Sequence, residues 1–302
     1  MKKIALLYSA LLVLLLSCKP TFNIDDWENS GRERNDSIPI YHEEAPDTIQ
    51  KGIIFCIDDY YVEDFYKPDH YNYIQQTGIK MTYFICQYHA LDSTRKAIID
   101  KFYHDGHEIA FHGTHHIRAT DYLKDHSIED YINYEILPDL TLMEQKGYNI
   151  NDFSYPYGSH TAELDSVLFN NFFYFIKLGS TRFWFYSKPE NKKIIHPFPL
   201  DDRYWKLYNL NMNMVLKFID SADRSDKIIM FYSHRLHDQY NDNANSTWFE
   251  KFRMIMDYAK EKGFRFYTLQ DLQKMDKDAA KIILTPDEVF PDKDWNDIDT
   301  LE

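Results

Sequence analysis

Short apolar runs alternate with longer stretches of helical periodicity along most of this chain. The apolar runs are rich in β-branched and aromatic residues and too short for helices, which indicates strands buried on both faces. We predict strands at residues 52–57, 79–85, 107–111, 227–233 and 264–268, and a further one that ends in the sequence NDFSYPYG. Strands of this kind, separated by helices, predict an α/β fold with parallel strands and helices packed outside them.

The helices between these strands are bounded by capping residues and by glycines. A short helix ends at Gly78, the next runs from an Asp92 cap to Gly106, a longer one runs from Ser127 to Gly147 with a kink at Pro138, and the last runs from a capping box of Thr247 and Glu250 to Gly263.

The first residues have the organisation of a secretion signal. Lys2 and Lys3 precede an apolar run from Ile4 to Leu16, which is shorter than the roughly 20 residues that span a membrane. The sequence LLSC that follows resembles a lipobox, in which Cys18 is lipidated and becomes the mature N-terminus; the alternative is an ordinary signal peptide with an incidental cysteine. We expect a signal peptide in residues 1–17, a lipidated N-terminus and flexible polar tether in 18–49, and one folded domain in 50–302.

This anchor would place the protein in the cell envelope as a membrane-anchored lipoprotein. Lys19 and the residues after it do not obviously specify retention in an inner membrane, which favours the outer membrane.

Composition narrows the choice of partner. The formal net charge of −14 argues against a nucleic acid as partner, and aromatic residues make up 17% of the chain, enough for some to stack on sugar rings.

Besides Cys18 the chain has only Cys56 and Cys86, both inside apolar runs. Two buried thiols are expected, with one disulfide as the alternative.

Polar motifs follow four of the predicted strands at their carboxyl ends, where α/β barrels carry their active sites. They are Asp58-Asp59, the sequence HGTHH with His112, His115 and His116, the sequence YPYG at residues 155–158, and Ser233-His234. Imidazole is the commonest metal ligand among side chains. Adjacent residues of an extended chain point to opposite faces, so Asp58 and Asp59 have different roles unless the backbone turns sharply.

These motifs resemble, in their order along the chain, those of the polysaccharide deacetylases with a NodB-homology domain. The stretches that carry the resemblance are CIDDY, HGTHH, SYPYG and FYSH, together with the lead-in DGHEIAFH and the ending YAKEKGFRFYTLQDL. The resemblance covers about residues 50–275, and its Asp-Asp and His-x-x-x-His motifs are the specific ones.

The resemblance implies a fold, a cofactor and a set of roles. It implies a distorted (β/α) barrel as the catalytic domain and a divalent metal ion, most often zinc, held by Asp59, His112 and His116, with His115 left over. Three protein ligands leave a position open for water, as a catalytic zinc requires. It further implies Asp58 as general base, His234 as general acid and the backbone N–H of Tyr157 as an oxyanion donor. The reaction would remove N-acetyl or O-acetyl groups from a polysaccharide.

The sequence departs from the family pattern at several positions. Ser154 replaces the arginine of the third motif, which the resemblance places near the base, and Tyr60 replaces the glycine of the first motif. We consider Arg182, Arg203 and Arg235 as substitutes for the arginine, and the fourth motif is not clear, because Asp201, Asp202 and Trp205 offer the right residue types at the wrong spacing.

The motifs are also compatible with two other functions. A non-catalytic glycan-binding lipoprotein would not need Asp58 or His234, yet both are present. A phosphoester hydrolase would need cations near the metal, and the four motifs contain no lysine and only the flanking Arg235.

Overall fold

The computed structural model describes residues 50–178, 193–275 and 283–290. The predicted signal peptide, Cys18, the tether and Arg182 lie outside these ranges. The strands are β1 Gly52–Asp58, β2 Met81–Ile85, β3 Glu108–Phe111, β4 Asp152–Ser154, β5 Phe175–Lys177, β6 Ile194–Ile195, β7 Phe198–Pro199, β8 Ile228–Ser233, β9 Leu236–His237, β10 Thr247–Trp248 and β11 Arg265–Tyr267.

Helices connect most of these strands. They are α1 Val62–Phe65, α2 Pro68–Thr77, α3 Ser93–His104, α4 Ala119–Tyr122, α5 Ile128–Tyr131, α6 Leu137–Lys146, α7 Ala162–Asn171, α8 Asp202–Leu207, α9 Met212–Ser225, α10 Phe249–Glu261, α11 Leu269–Met275 and α12 Pro286–Val289. None of the helices in the described ranges is long and apolar enough to cross a membrane.

The main sheet is parallel and curls into a half-barrel. Its order is β6-β5-β4-β3-β2-β1-β8-β7, and β11 pairs with the first half of β1. All seven residues of β1 are buried, because helices cover one face of the sheet and the interior of the curl covers the other. The predicted α/β fold with parallel strands is therefore confirmed.

The register of the sheet brings the carboxyl ends of its strands to one rim. Asp58 at the end of β1 pairs with Phe84 of β2, and Ser233 at the end of β8 pairs with Ile57. Ser154 and Lys177 pair at the ends of β4 and β5. The polar motifs follow these ends, so the fold collects them at one edge.

Most predicted element ends agree with the structure. Asp92 caps α3 by accepting a hydrogen bond from the Arg95 N–H at 2.9 Å, and Gly147 ends α6 in the left-handed region. The long helix is interrupted by a π-helical turn at Ile132–Ile136, directly before Pro138. Proline has no N–H to donate, and the wider turn accommodates it.

The predicted capping box at Thr247 is wrong. Helix α10 begins after Trp248, and Thr247 lies in β10 with its hydroxyl donating to Ser233 Oγ at 2.9 Å. The Thr247 hydroxyl therefore makes a tertiary hydrogen bond to the end of β8 and does not cap the helix. The short strands β5, β6 and β7 were not predicted either, since two or three residues carry too little periodicity to be recognised.

Candidate metal centre

Four non-glycine residues in the loops that follow β1 to β4 adopt a positive φ: Asp59 (φ 74°), Gln87 (φ 53°), His116 (φ 59°) and Tyr157 (φ 59°). Such conformations are costly for L-residues and concentrate at functional sites. The positive φ at Asp59 is the sharp turn that two adjacent aspartates need if both are to face one site. The backbone leaves the strand at this residue, so Asp58 and Asp59 both reach the site but contact different partners.

Asp59 and two histidines form a compact donor set. Asp59 Oδ1 lies 3.6 Å from His112 Nε2 and 3.3 Å from His116 Nε2, and the two imidazole rings are 4.9 Å apart. Burial alone would raise the pKa of Asp59, but the hydrogen bond from His116 and the charge of the imidazoles outweigh it and lower the pKa. The carboxylate is therefore ionised at neutral pH.

The second nitrogen of His112 fixes its tautomer. Its Nδ1 lies 2.8 Å from the Ser154 carbonyl oxygen, which can only accept, so Nδ1 carries the proton and Nε2 presents a lone pair. Burial lowers the pKa of His112 to about 4. A neutral imidazole with its free nitrogen facing a carboxylate suits a divalent cation, and the donor set fits a zinc-type ion.

Cys86 is a neighbour of this set that the sequence did not single out. It follows β2, and its Sγ lies 3.8 Å from Asp59 Oδ1. Asp59, Cys86 and His116 form a group whose ligand atoms all lie within 4.8 Å of one another. Burial raises the pKa of the Cys86 thiol well above its usual value, so it acts here as an S–H donor to Asp59. Cys56 and Cys86 are both free and buried, which confirms the expected pair of thiols.

The loop that carries His115 and His116 is held by Glu135 from the π-helical turn. The buried Glu135 carboxylate accepts the N–H groups of His115 at 2.8 Å and Ile117 at 3.1 Å, and its backbone carbonyl accepts the N–H of Thr114 at 2.9 Å. A Cβ on Gly113 would lie 2.2 Å from Glu135 Oε1, so only glycine fits there. His115 itself stacks on Tyr134 at 3.9 Å, away from Asp59.

Asp58 is paired with a lysine that sequence reasoning missed. Lys177 Nζ at the end of β5 lies 2.6 Å from Asp58 Oδ2 and 3.3 Å from Ser154 Oγ, and Lys177 and Asp58 are buried. Burial would raise the pKa of Asp58, but the Lys177 ammonium more than offsets this and lowers it. Lys177 thus places a positive charge beside Asp58 and contacts Ser154, the residue at the position of the third motif's arginine.

The arginines considered for that position are placed elsewhere or lie outside the described ranges. Arg235 Nε binds Asp64 at 2.6 Å and its guanidinium lies over the Tyr61 ring. Arg203 is exposed on α8. The signal that could have indicated Lys177 is a single cation at the end of an apolar strand, FIK.

His234 is paired with Asp201, one of the three residues whose spacing departs from the fourth motif of the family. His234 Nδ1 lies 2.5 Å from Asp201 Oδ2, and Asp201 Oδ1 accepts from the Ser233 hydroxyl at 2.5 Å and the His234 N–H at 3.2 Å. Burial alone would lower the pKa of His234, but the buried Asp201 carboxylate raises it to about 9. His234 is therefore protonated at neutral pH with its other nitrogen free.

The two other residues of that segment lie away from His234. Asp202 binds His237 Nε2 at 3.1 Å and Lys251 Nζ at 2.5 Å, and Trp205 donates to the Pro199 carbonyl at 3.2 Å. Of the two aspartates in PLDDRYW, Asp201 is the one that is hydrogen-bonded to His234.

Tyr157 lies beside the donor set. Its ring is 4.8 Å from that of His116 and is 46% exposed. The backbone of this residue turns sharply after Pro156, within a short 3-10 turn that begins where β4 ends. The chain thus brings Asp58, Asp59, His112, His116 and Tyr157 together with His234, which is close enough to act electrostatically on both aspartates, and leaves His115 stacked on Tyr134.

Comparisons with known proteins find one family model and several solved structures that resemble this chain. A family model for polysaccharide deacetylase matches residues 45–171. No curated protein is significantly similar to the chain. Lys177, Asp201 and His234 lie beyond the matched segment.

Several solved structures are distantly similar. The peptidoglycan deacetylase PdaC from Bacillus subtilis has 14% identity and a TM-score of 0.45, covering 75% of this chain and 91% of its own. A family 4 carbohydrate esterase from Streptomyces lividans, solved in complex with acetate, has 14% identity and a TM-score of 0.46, covering 73% of this chain and 93% of its own. A family 4 carbohydrate esterase from Bacillus anthracis has 17% identity and a TM-score of 0.42, covering 76% of this chain and 86% of its own. The family match places a polysaccharide deacetylase domain in residues 45–171, and the chain is an enzyme.

Proposed function

We propose that this enzyme is a metal-dependent hydrolase that removes acetyl groups from a polysaccharide or cell-envelope glycan. The observation that carries the proposal is the convergence of His112 Nε2 and His116 Nε2 on Asp59 Oδ1, at 3.6 and 3.3 Å. A divalent ion held by these three residues, most often zinc in such sites, would polarise the acetyl carbonyl and lower the pKa of a water molecule to about 7.

The other residues divide the proton transfers between them. Asp58, ionised beside Lys177, accepts a proton from the attacking water as that water bonds to the acetyl carbon. His234, protonated beside Asp201, gives its proton to the leaving nitrogen or oxygen as the bond to the sugar breaks. The backbone N–H of Tyr157 stabilises the negative charge on the carbonyl oxygen. The products are acetate and the deacetylated sugar.

A phosphoester substrate fits less well. Phosphoryl transfer relies on cations that neutralise the phosphate oxygens. Lys177, at the end of β5, is bound to Asp58 and buried, and the Tyr157 ring lies between Arg118 and His116, so neither cation would neutralise a phosphate at the metal centre itself.

The metal prediction concerns four single variants of the full-length protein. We expect about one divalent ion per chain in the unmodified protein, near-complete loss of the ion in His112→Ala and His116→Ala, and no loss in His115→Ala or Cys86→Ser. The reason is that His115 stacks on Tyr134 and the Cys86 thiol is held protonated by burial. Elemental analysis measures the metal content. A full complement in His116→Ala, or its loss in Cys86→Ser, would show that the ligand set is wrong.

The activity itself is tested by acetate release from a panel of N-acetylated and O-acetylated glycans, with Asp58→Asn as the blank. Release that is equal in Asp58→Asn and the unmodified protein would exclude the proposed mechanism.

We also propose that Cys18 carries a lipid anchor that holds the enzyme in the cell envelope, at the outer membrane. The apolar run before it and the LLSC sequence support this. Cys18→Ser should move the protein from the membrane fraction to the soluble fraction of the cell and leave the domain folded. Immunoblots of the two fractions, with circular dichroism as the folding control, measure this. Continued sedimentation with membranes would contradict the anchor.

A further inference from the structure

Three arginine–tyrosine pairs involve tyrosines that belong to or directly follow the motifs of the site. Arg95 lies over the ring of Tyr60 at 5.5 Å and Arg235 over that of Tyr61 at 4.3 Å, directly after the two aspartates. In the third pair, Arg118 is 4.3 Å from the ring of Tyr157. Stacking on an aromatic face fixes the plane of a guanidinium and leaves its N–H groups free to donate.

Two of the three guanidinium groups are neutralised by carboxylates. Arg95 binds Glu63, with Nη2 at 2.8 Å from Oε1, and Arg235 Nε binds Asp64 Oδ2 at 2.6 Å. Arg118 makes no ion pair with any residue in the described ranges. Asp121, one helical turn along the chain, is instead bound by Lys124 at 2.7 Å.

Arg118 is also placed to reach a substrate. It is exposed and lies two residues after His116, and the Tyr157 ring that supports it is 4.8 Å from the His116 ring. One aromatic ring thus separates the guanidinium from a proposed metal ligand. Arg118 is therefore within reach of a sugar whose acetyl group lies at the proposed metal centre.

We propose that Arg118 and Tyr157 form a subsite for a sugar carboxylate next to the acetylated position, an inference that rests on the proposed deacetylase function. The fork of guanidinium donors matches a carboxylate in a bidentate pair. On a chain of net charge −14, a cation that has no carboxylate partner among the described residues creates a local attraction that the overall charge does not. The carboxylate could belong to a uronic acid, where it is attached to the ring, or to a lactyl ether on a sugar hydroxyl.

The experiment compares each acetylated glycan with its own carboxyl-reduced form. One pair carries uronic acids and the other carries lactyl ethers, and in the second member of each pair the carboxylates are reduced to alcohols. We expect the unmodified enzyme to prefer at least one of the carboxylate forms by roughly tenfold or more in kcat/KM, the scale of one charge-assisted hydrogen-bonding pair. The pair that shows the preference identifies the source of the carboxylate.

Variants assign this preference to Arg118. Arg118→Gln should lower kcat/KM for the carboxylate form to about the value for its reduced form, which abolishes the preference, while Arg118→Lys should keep part of the preference because a point charge remains without the fork. Arg224→Gln is the matched control, since it removes the same charge from an exposed position on α9, where the guanidinium contacts Ser221. It should keep the full preference.

The outcomes separate this subsite from the deacetylase proposal. Calorimetric binding of an unacetylated uronic acid oligosaccharide, of an unacetylated oligosaccharide that carries lactyl ethers, and of the carboxyl-reduced form of each does not depend on turnover. If no glycan releases acetate but a carboxylate form binds roughly tenfold tighter or more, and Arg118→Gln removes this difference, the deacetylase proposal fails and the subsite stands. Equal kcat/KM and equal binding for both members of every pair, or a preference that persists in Arg118→Gln, would overturn the subsite.

Discussion

Replacing Lys177 with methionine should lower kcat/KM for an acetylated glycan by on the order of 100-fold at neutral pH and cost about 3–5 kcal/mol of folding stability. The substitution leaves the Asp58 carboxylate buried without its partner, 2.6 Å away in the unmodified enzyme. Burial then acts alone and raises the pKa of Asp58, so the base is protonated where it should be ionised. Initial rates and urea unfolding of the metal-free protein measure the two effects.

The stability loss should depend on pH with a defined sign. In the unmodified protein the pKa of Asp58 is lowered from 3.8, so the pair stabilises the fold above about pH 4 and this contribution is lost as the pH falls through the folded-state pKa. In Lys177→Met the pKa of Asp58 is raised instead, so the buried carboxyl is tolerated at low pH and destabilises the fold as the pH increases. The difference in unfolding free energy should therefore shrink towards pH 4.

Two further variants control this result. Lys177→Arg keeps the positive charge and should retain more activity than Lys177→Met. The double variant Asp58→Asn with Lys177→Met removes both charges and should recover much of the lost stability but none of the activity. A Lys177→Met protein of unchanged stability and rate would contradict the assignment of this lysine to Asp58.

The rate should fall on the alkaline side near pH 9, where His234 loses its proton, and Asp201→Asn should move this limb down by about 2.5 pH units, towards the ordinary value of 6.5. The Asp201 carboxylate, 2.5 Å from His234 Nδ1, is the charge that raises the pKa of His234 from 6.5 to about 9 against the effect of burial. At pH 8 the variant should lose on the order of 30-fold more activity than at pH 6, because a pKa near the ordinary value leaves few molecules protonated. Profiles of kcat/KM against pH measure the limb.

Asp202→Asn is the matched control for this shift. Asp202 is the next residue and equally buried, but it binds His237 and Lys251. The alkaline limb of the Asp202→Asn enzyme should therefore stay near pH 9. His234→Ala should remove the limb altogether and reduce the rate on N-acetyl glycans more than on O-acetyl glycans, since an amine needs a proton to leave. An unchanged limb in Asp201→Asn would exclude His234 as the acid.

The same pair contributes to stability in the opposite sense from Asp58. A histidine whose pKa is raised on folding stabilises the native state fully below its ordinary pKa of 6.5, and this contribution is lost as the pH rises through about 9. Asp201→Asn should therefore destabilise the protein most at acidic and neutral pH.

The sequence by itself determined the fold class and most of the donor set. Apolar runs such as residues 52–57 are buried on both faces wherever parallel strands are covered by helices, so their pattern is visible without a structure. Histidines at a spacing of four residues after a strand end, preceded by Asp59 after another, already indicated a metal centre. Short-range spacing carries this information because each motif lies within one loop.

Tertiary structure alone decided which charges serve the proposed catalytic residues. Lys177 is 119 residues from Asp58, and Asp201 is 33 residues from His234. No periodic pattern in the sequence connects residues at these separations. Cys86 approaches Asp59 because β1 and β2 are adjacent in the sheet, which the chain order permits but does not require. A buried ion pair depends on two strand ends meeting within hydrogen-bond distance, and that distance is set by the register and curvature of the sheet rather than by the local pattern of either strand.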